Sequence, residues 1–379
     1  MLTNTTYDVA IAGGGLGGLS LSILLAKAGH KVVLIEKEKY PFHRVCGEYI
    51  SFESWNFLEG LGYPLSDMDL CIIKNLVVSA PNGRTISHSL PLGGFGISRY
   101  KIDGELADLA RRNGVTVIES TKVNDILFAN ETFTLQTSAG NIQAIVAVGS
   151  FGKRSNLDVK WKRSFIGKKP NKLNNYIAVK YHIRTDFPPD TIALHNFKNG
   201  YCGISSVENG EYCLCYLTTA ENLKKANNNI SLMEQSVLYE NPHLKRIFTN
   251  AEFLWKDPVS IAQISFERKS LVENHILMAG DAAGMITPLC GNGMSIAMHS
   301  SKVLAALITR YLHQSISREQ LEKEYTRTWN FLFRNRLQTG RLIQQMFGKP
   351  VLTNLFLQTL KPFPKIVTYL IRQTHGEPF

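Results

Sequence analysis

The stretch YDVAIAGGGLGGLSLSILLAKAGHKVVLIE, residues 7–36, decides the fold. The apolar run 7–12 predicts a buried strand, the glycines that follow predict a tight turn, and residues 19–28 have the composition of a helix. A second apolar run, 31–35, ends on Glu36. Together these segments predict a strand–helix–strand unit of about 30 residues at the start of an α/β fold.

The glycines of this unit follow the GxGxxG pattern at Gly13, Gly15 and Gly18. Gly13 permits the tight turn, Gly15 lets the backbone approach a diphosphate at the helix N-terminus, and Gly18 lets helix and strand pack closely. Glu36 is placed to accept hydrogen bonds from an adenosine ribose, and its charge disfavours a 2′-phosphate. The pattern predicts a dinucleotide site, but FAD and NAD share this half-site.

A second glycine motif follows late in the chain. Residues 275–279 predict a buried strand that leads directly into GDAAG, 280–284, and a helix is predicted over 294–311. A carboxylate at a strand end can bind ribityl hydroxyls, and a glycine-rich helix N-terminus can present N–H groups to a pyrimidine edge or a phosphate. The motif therefore favours FAD over NAD. Its candidate residues are Gly280, Asp281, Pro288, Gly291, Asn292, Gly293 and Met294.

The two motifs, together with RVCGE at 44–48 and SRYKID at 98–103, resemble the FAD-dependent superfamily of p-hydroxybenzoate hydroxylase over nearly the whole chain. Within it, the Cys-Gly-Glu sequence and the GDAAG form are most similar to the geranylgeranyl reductase branch. The resemblance implies that Arg44 and Arg99 lie along the FAD, Asp281 on its ribityl chain, and residues 291–294 near the isoalloxazine.

Two departures from the superfamily concern the electron donor. Aromatic hydroxylases have GDAAH where this chain has Gly284, and an Asp-Gly motif where it reads GSFGKRS, 149–155. In those enzymes the second segment helps to handle the diphosphate and NAD(P)H. Because the chain has no second GxGxxG, NAD(P)H as a transient electron donor would have to bind without a dedicated domain.

Cys46 and Glu48 are the candidate catalytic residues. They offer a soft nucleophile and an acid close to the inferred flavin, and either could supply the proton that accompanies hydride transfer to a carbon–carbon double bond. The alternative is that Cys-Gly-Glu is a structural turn against the cofactor. For Cys213 and Cys215, a packing role in one strand is favoured over metal or redox pairing.

Composition sets the remaining limits. The 379 residues are 44% hydrophobic and 19% charged, which is typical of a globular protein, and the spacing of the six cysteines argues against structural zinc and against a disulfide scaffold. The uncharged run 9–26 has a glycine-rich centre and no basic residue before it, so a signal peptide or membrane span is not predicted. Reduced thiols and a cytoplasmic or membrane-peripheral location are therefore expected.

Positive charge is concentrated at the C-terminus. The net charge is +11, and residues 301–379 hold 12 Lys and Arg against 4 Asp and Glu, which gives +8. No nucleic-acid motif accompanies this charge. From Arg334 onward, bulky apolar residues alternate with basic ones, and Pro350, Pro362 and Pro364 predict a division into short helices. Such a tail suits a membrane surface, a roof over an apolar tunnel, or an ordinary helical cap.

We expect an α/β fold: a Rossmann-like FAD-binding domain, an inserted β-sheet-rich substrate domain and a C-terminal helical region. The predicted segments are 1–75, 99–160 and 271–312 for FAD binding, 76–98 and 161–270 for the substrate domain, and 313–379 for the helical region. The expected function is an FAD-dependent oxidoreductase acting on a large apolar prenyl, quinone or polyketide lipid, with C=C reduction favoured. The alternatives are a monooxygenase of a phenolic or quinone lipid, a flavin halogenase, whose Trp-x-Trp-x-Ile-Pro motif is absent, and a non-catalytic flavoprotein.

Overall fold

The computed structural model of the protein describes residues 6–169 and 174–379, which form two β-sheets and a set of helices. The strands, in chain order, are Thr6–Ala12 (β1), Val32–Ile35 (β2), Tyr49–Ser51 (β3), Cys71–Ser79 (β4), Thr85–Gly96 (β5), Thr116–Ile118 (β6), Val123–Ala129 (β7), Thr132–Thr137 (β8), Gly140–Gly149 (β9), Tyr176–Arg184 (β10), Thr191–Phe197 (β11), Gly200–Ser206 (β12), Tyr212–Thr219 (β13), Glu252–Phe253 (β14), Val259–Ile264 (β15), Val272–Glu273 (β16) and Ile276–Met278 (β17). The helices are Leu16–Lys27 (α1), Trp55–Leu61 (α2), Arg99–Arg112 (α3), Asn156–Lys160 (α4), Ala220–Lys225 (α5), Ile230–Val237 (α6), Pro242–Asn250 (α7), Gly293–Leu312 (α8), Arg318–Met346 (α9), Pro350–Leu360 (α10) and Pro364–Thr374 (α11).

The first sheet carries the N-terminal glycine motif. Its order is β16-β17-β9-β1-β2-β6, and β17, β9, β1, β2 and β6 run parallel. Val9 of β1 lies opposite Val32 on one side and Val146 on the other. Parallel strands covered on both faces are continuous apolar runs, as β2 is here. The predicted strand–helix–strand unit is confirmed. Helix α1 begins at Leu16, three residues before the predicted start, so that Gly17 and Gly18 lie in its first turn.

The second sheet has the order β14-β10-β13-β12-β11-β4-β5-β3, with β15 paired to β10. Strands β12 and β13 form a hairpin and pair antiparallel across a turn that contains Asn209 at φ 61°. One face packs against α6 and α7 through Met233, Leu244 and Ile247. Because β3 pairs with β5, and β4 begins at Cys71, residues 49–51 and 71–75 belong to this sheet rather than to the first FAD-binding segment assigned above.

The chain passes repeatedly between the sheets. Strands β1 and β2 lie in the first, β3–β5 in the second, β6–β9 in the first, β10–β15 in the second, and β16 and β17 return to the first. Both glycine motifs are thereby brought to the carboxyl ends of β1 and β17, where α/β folds bind their ligands. Helix α8 then packs against α1.

The C-terminal region is helical, as predicted. Helix α9 has 29 residues, and its buried side chains Tyr325, Trp329 and Phe333 complete the core of the first sheet. It ends at Met346, and Pro350 and Pro364 then begin α10 and α11. In the described ranges no helix is both long and apolar enough to cross a membrane.

Candidate active site

A cavity of about 940 Å³ is lined by residues of both sheets. The glycine motifs and the RVCGE turn line one side, and the concave face of the second sheet lines the other. The volume lies in the range of cofactor and small-molecule sites. The sequence-predicted residues that line it are Gly13, Gly15, Glu36, Arg44, Cys46, Glu48, Arg99, Gly280, Asp281, Pro288, Gly291, Gly293 and Met294.

The N-terminal glycines differ in what surrounds them. A Cβ on Gly13, whose φ is +108°, would lie 2.4 Å from the carbonyl oxygen of Ser150, and a Cβ on Gly18 would lie 2.1 Å from that of Gly13. These two positions exclude any side chain because backbone crosses backbone. At Gly15 the nearest atom to a Cβ would be Nη2 of Arg99, 3.6 Å away. The space above Gly15 is thus open cavity, bordered by a guanidinium.

This space fits a dinucleotide diphosphate. Helix α1 begins there, with Gly15 as its N-cap, and no side chain caps its first N–H groups. The first residues of α8, Gly293 and Met294, also line the cavity, and no side chain caps the N-terminus of this helix. Uncapped helix N-termini attract anions and hydrogen-bond acceptors. With Arg44 and Arg99 nearby, the residues present match what FAD requires.

Arg44 and Arg99 are held by one buried acid. Asp103 accepts two hydrogen bonds of 2.7 Å from Arg99 and one of 3.0 Å from Nε of Arg44. Nη2 of Arg44 also lies 2.8 Å from Oε2 of Glu36, which accepts a further bond from the Gly14 amide. Asp103 therefore fixes both guanidinium groups. The spacing of Arg99 and Asp103, one helical turn apart, was the available sequence signal for this positioning role.

The second glycine motif, which follows β17, also lines the cavity. Gly291 has φ +67° and faces the ring of Tyr49. The carbonyl of Asp281 accepts a bond of 2.8 Å from Nζ of Lys269, which also donates to the carbonyl of Lys153 at 2.9 Å. Burial lowers the pKa of Lys269 to about 8, partly opposed by Asp158 and Asp281. Lys269 thus ties the GDAAG segment to the GSFGKRS segment.

Two of the predicted cofactor residues do not line the cavity. Gly18 is used for packing, as its close approach to Gly13 shows. Asn292 is buried, and its Nδ2 donates to the carbonyl of Thr374 in α11 at 2.8 Å. The side chain of Asn292 thereby connects the glycine motif to the C-terminal helices.

Glu48 is the centre of a buried charged cluster. Its backbone has φ 56°, and its side chain is inaccessible to solvent. Oε1 contacts Nζ of Lys180 and accepts a bond of 2.7 Å from the Arg99 amide, while Oε2 lies 2.6 Å from Nε2 of His182. Burial alone would raise the pKa of Glu48, but the Lys180 ammonium and the His182 hydrogen bond outweigh it and lower the pKa to about 2. Glu48 is therefore a carboxylate at neutral pH.

The same cluster contains a set of potential metal ligands. Glu48, His182 and Cys213 have donor atoms within 4.8 Å of one another. The Lys180 ammonium already contacts the Glu48 carboxylate and supplies the positive charge that a cation would bring. The donor set is therefore better described as an ion-pair cluster than as a metal site.

The turn that carries Cys46 is fixed at four consecutive carbonyl groups. The carbonyl of Val45 accepts from Nζ of Lys153 at 2.8 Å, that of Cys46 from Sγ of Cys213 at 3.1 Å, and that of Gly47 from Oγ of Ser205 at 2.9 Å. The Glu48 carbonyl accepts from the Ile97 amide at 3.1 Å. The donors come from four separate segments, so the turn is held in one conformation.

Cys46 itself presents its thiol to the cavity. The side chain is half-buried, and its Sγ lies 3.7 Å from Sδ of Met294, at the start of α8. On β13, Cys215 also lines the cavity, and burial raises the pKa of its thiol to about 12. Cys213 faces the turn instead. The two strand cysteines therefore have different surroundings.

The wall opposite the glycine motifs is mainly apolar. It is formed by side chains of the second sheet, namely Ala178, Ile192, Leu194, Leu217, Ile261 and Ile264. Ile192 and Leu194 also line a second pocket of about 130 Å³ beneath α10 and α11. Tyr49, Pro288 and Gly291 border both spaces as well. The cavity therefore adjoins an apolar extension under the C-terminal helices.

Lys180, His182 and Lys153 were missed by the sequence analysis. Lys180 and His182 are two residues apart on β10 and pair in register with Cys215 and Cys213. An alternating strand with a lysine and a histidine on one face usually turns that face to solvent, so the pattern gave no reason to expect burial. The partner acid lies 132 positions away in the chain.

Comparison with known proteins identifies the family. The sequence model of the family described as "FAD binding domain" matches residues 6–328. The chain is 28% identical over 353 residues to conditioned medium factor receptor 1 of Dictyostelium discoideum, covering 85% of this chain and 67% of that protein. It is 26% identical over 346 residues to the digeranylgeranylglycerophospholipid reductase of Methanocaldococcus jannaschii, covering 86% and 83%.

Among solved structures, the flavin-dependent brominase Bmp2 superposes with a TM-score of 0.80 at 21% identity, covering 98% of this chain and 93% of that one. At this identity the likeness shows the fold alone.

Proposed function

The chain belongs to the FAD-binding domain family, and from this premise we propose that it reduces a carbon–carbon double bond in a large, mostly apolar substrate such as a prenyl lipid. It is an FAD-dependent oxidoreductase. The finer proposal concerns what it acts on and which bond it changes. A relative named as a digeranylgeranylglycerophospholipid reductase supports this direction.

The chain's own residues would hold the cofactor as follows. Glu36 receives the adenosine ribose, the α1 N-terminus above Gly15 and the Asp103-fixed guanidinium groups receive the diphosphate, and Asp281 receives the ribityl chain. The α8 N-terminus at Gly293 presents its N–H groups to the pyrimidine edge. FAD bound in this way supplies a hydride when reduced.

The observation that carries the substrate proposal is the apolar extension. The main cavity is walled by aliphatic side chains of β11, β13 and β15, and Ile192 and Leu194 carry this wall into the pocket beneath α10 and α11. Burying an aliphatic chain there stabilises the complex by about 0.8 kcal/mol per methylene. A substrate with a long apolar tail would gain most from this arrangement.

Cys46 is our candidate for the proton donor. Reduction of a double bond requires a hydride on one carbon and a proton on the other, and the Cys46 side chain lies at the cavity wall beside Met294. Glu48 has no proton to give at neutral pH because Lys180 and His182 hold it ionised. We therefore assign Glu48 a positioning role, which fixes the turn on which Cys46 lies.

For the electron donor, we propose that NAD(P)H reaches the cofactor transiently. The segment 149–155 stands where the hydroxylases of the superfamily have an Asp-Gly motif, and its Phe151 lines the cavity. Lys153 and Arg154 in the same segment offer positive charge to a phosphate-bearing donor. A low-potential protein donor would be the alternative source of electrons.

The experiment is a single turnover without oxygen. The holoprotein is reduced with dithionite and mixed with a polyprenyl lipid. Reoxidation is followed through the absorbance of oxidised flavin, and the mass of the product is measured by mass spectrometry. We expect rapid recovery of the oxidised spectrum and a product that has gained two hydrogen atoms. No anaerobic recovery, with insertion of one oxygen atom into a phenolic lipid in air, would instead establish a monooxygenase.

A further inference from the structure

We propose that the outward surface of α10, α11 and the loop between them docks on an anionic phospholipid bilayer. We call this surface the C-terminal face and include in it the exposed Leu342 near the end of α9, so that it is formed by exposed residues within 342–376. The docking stands on the exposed side chains alone. Only its use in substrate delivery rests on the proposed function.

Exposed apolar side chains are concentrated on this face. Of thirteen large apolar side chains that are exposed in the described parts of the chain, seven lie within residues 342–369. They are Leu342, Val351, Leu352, Leu355, Phe363, Ile366 and Tyr369. Single exposed apolar residues are ordinary on a protein surface, but a contiguous group marks a site of interaction.

Helical spacing places these side chains together. Val351 and Leu355 are four residues apart on α10, and Ile366 and Tyr369 are three apart on α11, so each pair shares one helix face. Phe363 lies in the connection between the helices and is 55% exposed. An exposed aromatic ring between two short helices is the kind of side chain that enters the outer part of a bilayer.

The charge of the face is of one sign. Residues 341–376 contain Arg341, Lys349, Lys361, Lys365 and Arg372 and no Asp or Glu. Lys361 and Lys365 are both exposed and flank Phe363. With residues that the structure describes, Lys349, Lys361, Lys365 and Arg372 form no ion pair. An apolar tip between unpaired basic residues complements anionic headgroups above acyl chains.

The charge also distinguishes between two possible binding partners of the C-terminal face, a bilayer and a second copy of the chain. Two identical C-terminal faces in contact would place the exposed Lys349, Lys361, Lys365 and Arg372 of one copy against the same four residues of the other, with no acid within 341–376 to offset them. Like charges opposed in this way disfavour association. A bilayer rich in anionic lipid has no such cost, so the bilayer is the occupant that we infer.

The inner side of the same two helices links the face to the site. Phe356, Leu357 and Leu360 of α10 line the apolar pocket beneath the helices. So do Val367, Leu370 and Ile371 of α11. One pair of helices thus separates the proposed bilayer contact from the extension of the cavity. A lipid substrate that leaves the bilayer here would meet apolar surface throughout.

Vesicle flotation of the full-length holoprotein tests the docking. The vesicles are pure phosphatidylcholine or equimolar phosphatidylcholine and phosphatidylglycerol. We expect binding to the mixed vesicles that weakens with salt, and little binding to the neutral ones. The double variant Lys361→Glu with Lys365→Glu should bind the mixed vesicles at least about tenfold more weakly. Phe363→Ser with Ile366→Ser should also reduce binding.

Matched control variants are available on helices α6 and α7, outside the C-terminal face. Leu232→Ser on α6 and Lys245→Glu on α7 alter one exposed apolar and one exposed basic residue, and they should bind as the parent protein does. Equal binding by the parent and by the C-terminal variants would overturn the proposal. Concentration-dependent dimerisation that the same variants abolish, without binding to anionic vesicles, would assign the face to a second copy instead.

The two proposals fail separately. Vesicle binding is measured without turnover, and turnover of a detergent-dispersed prenyl lipid is measured without vesicles. Because Lys361, Lys365, Phe363 and Ile366 do not line either cavity, their variants should retain FAD and turnover in detergent. Retained turnover with lost flotation is the expected combination.

Discussion

Nε2 of His182 lies 2.6 Å from Oε2 of Glu48, and both side chains are buried at the junction of the two sheets. Lys180 contacts the other oxygen of the same carboxylate, so the Glu48 side chain pairs with two basic side chains of strand β10. Removing one member of such a buried cluster leaves the others without compensation. The cluster therefore couples the cofactor side of the cavity to the substrate sheet.

Glu48→Gln should destabilise the protein at neutral pH and alter its acid unfolding. The Glu48 pKa falls from an ordinary 4.5 to about 2 in the folded state, which corresponds to about 3 kcal/mol of stability at pH 7. That stabilisation is complete above pH 4.5 and is lost as the pH falls toward 2. Urea unfolding from pH 7 to pH 3 should show the difference between parent and variant shrinking. The exposed Glu240→Gln variant should match the parent, and a constant difference at all pH values would contradict the assignment.

Cys46→Ala and Cys46→Ser should retain FAD but reduce turnover about a hundredfold, because positioned acids contribute rate factors of that order. FAD content is read from absorbance, and turnover from anaerobic reoxidation by the lipid. The control is Cys71→Ser, which changes a half-buried thiol that does not line the cavity. Unchanged turnover with FAD retained would remove Cys46 from the chemistry and leave the turn a structural one.

Gly15→Ala should weaken FAD binding about tenfold or more without harming the fold. The backbone of Gly15 has φ −82°, which alanine adopts freely, and its Cβ would enter the open space beside Arg99. Steric overlap with the diphosphate costs about 1–3 kcal/mol. Apoprotein melting and FAD titration separate the two effects. Gly60→Ala in α2, where a Cβ meets nothing within 4 Å, should bind FAD normally. Normal FAD affinity in Gly15→Ala would place the diphosphate elsewhere.

Leu194→Trp should discriminate between long and short substrates. Leu194 borders both the main cavity and the apolar pocket, so a larger ring there narrows the passage between them. We expect KM to rise several-fold for a long prenyl lipid and to change little for a short analogue. The exposed Leu232→Trp variant is the control. Equal effects on both substrates would mean that the tail does not pass Leu194.

The parts of the site that the sequence predicts are those where backbone geometry demands one residue type. Gly13 is required by a positive φ and a crossing carbonyl, and the family pattern around Asp281 follows from a strand end. The apolar runs likewise predicted β1 and β2, in which residues 9–12 and 32–35 are all buried, and the helical composition after Gly293 predicted α8. Local pattern was sufficient for these elements.

What the sequence did not predict depends on distant contacts. Lys153 reaches the carbonyl of Val45, and Cys213 that of Cys46, across 108 and 167 positions. Asn292 falls within a motif of cofactor residues, yet its amide is directed to Thr374. No spacing rule specifies such pairs, because each joins two segments that are distant in the chain and meet only in the folded protein.

The central claim, reduction of an apolar double bond, is tested most directly by one mass spectrum. The holoenzyme turns over a prenylated phenolic lipid in D₂O under oxygen-18 gas, with NAD(P)H as reductant. We predict a product that has gained two hydrogen atoms at each reduced double bond, at least one of them deuterium from the solvent, and that carries no oxygen-18. A product that carries oxygen-18 on the ring and an unreduced prenyl chain would contradict the account.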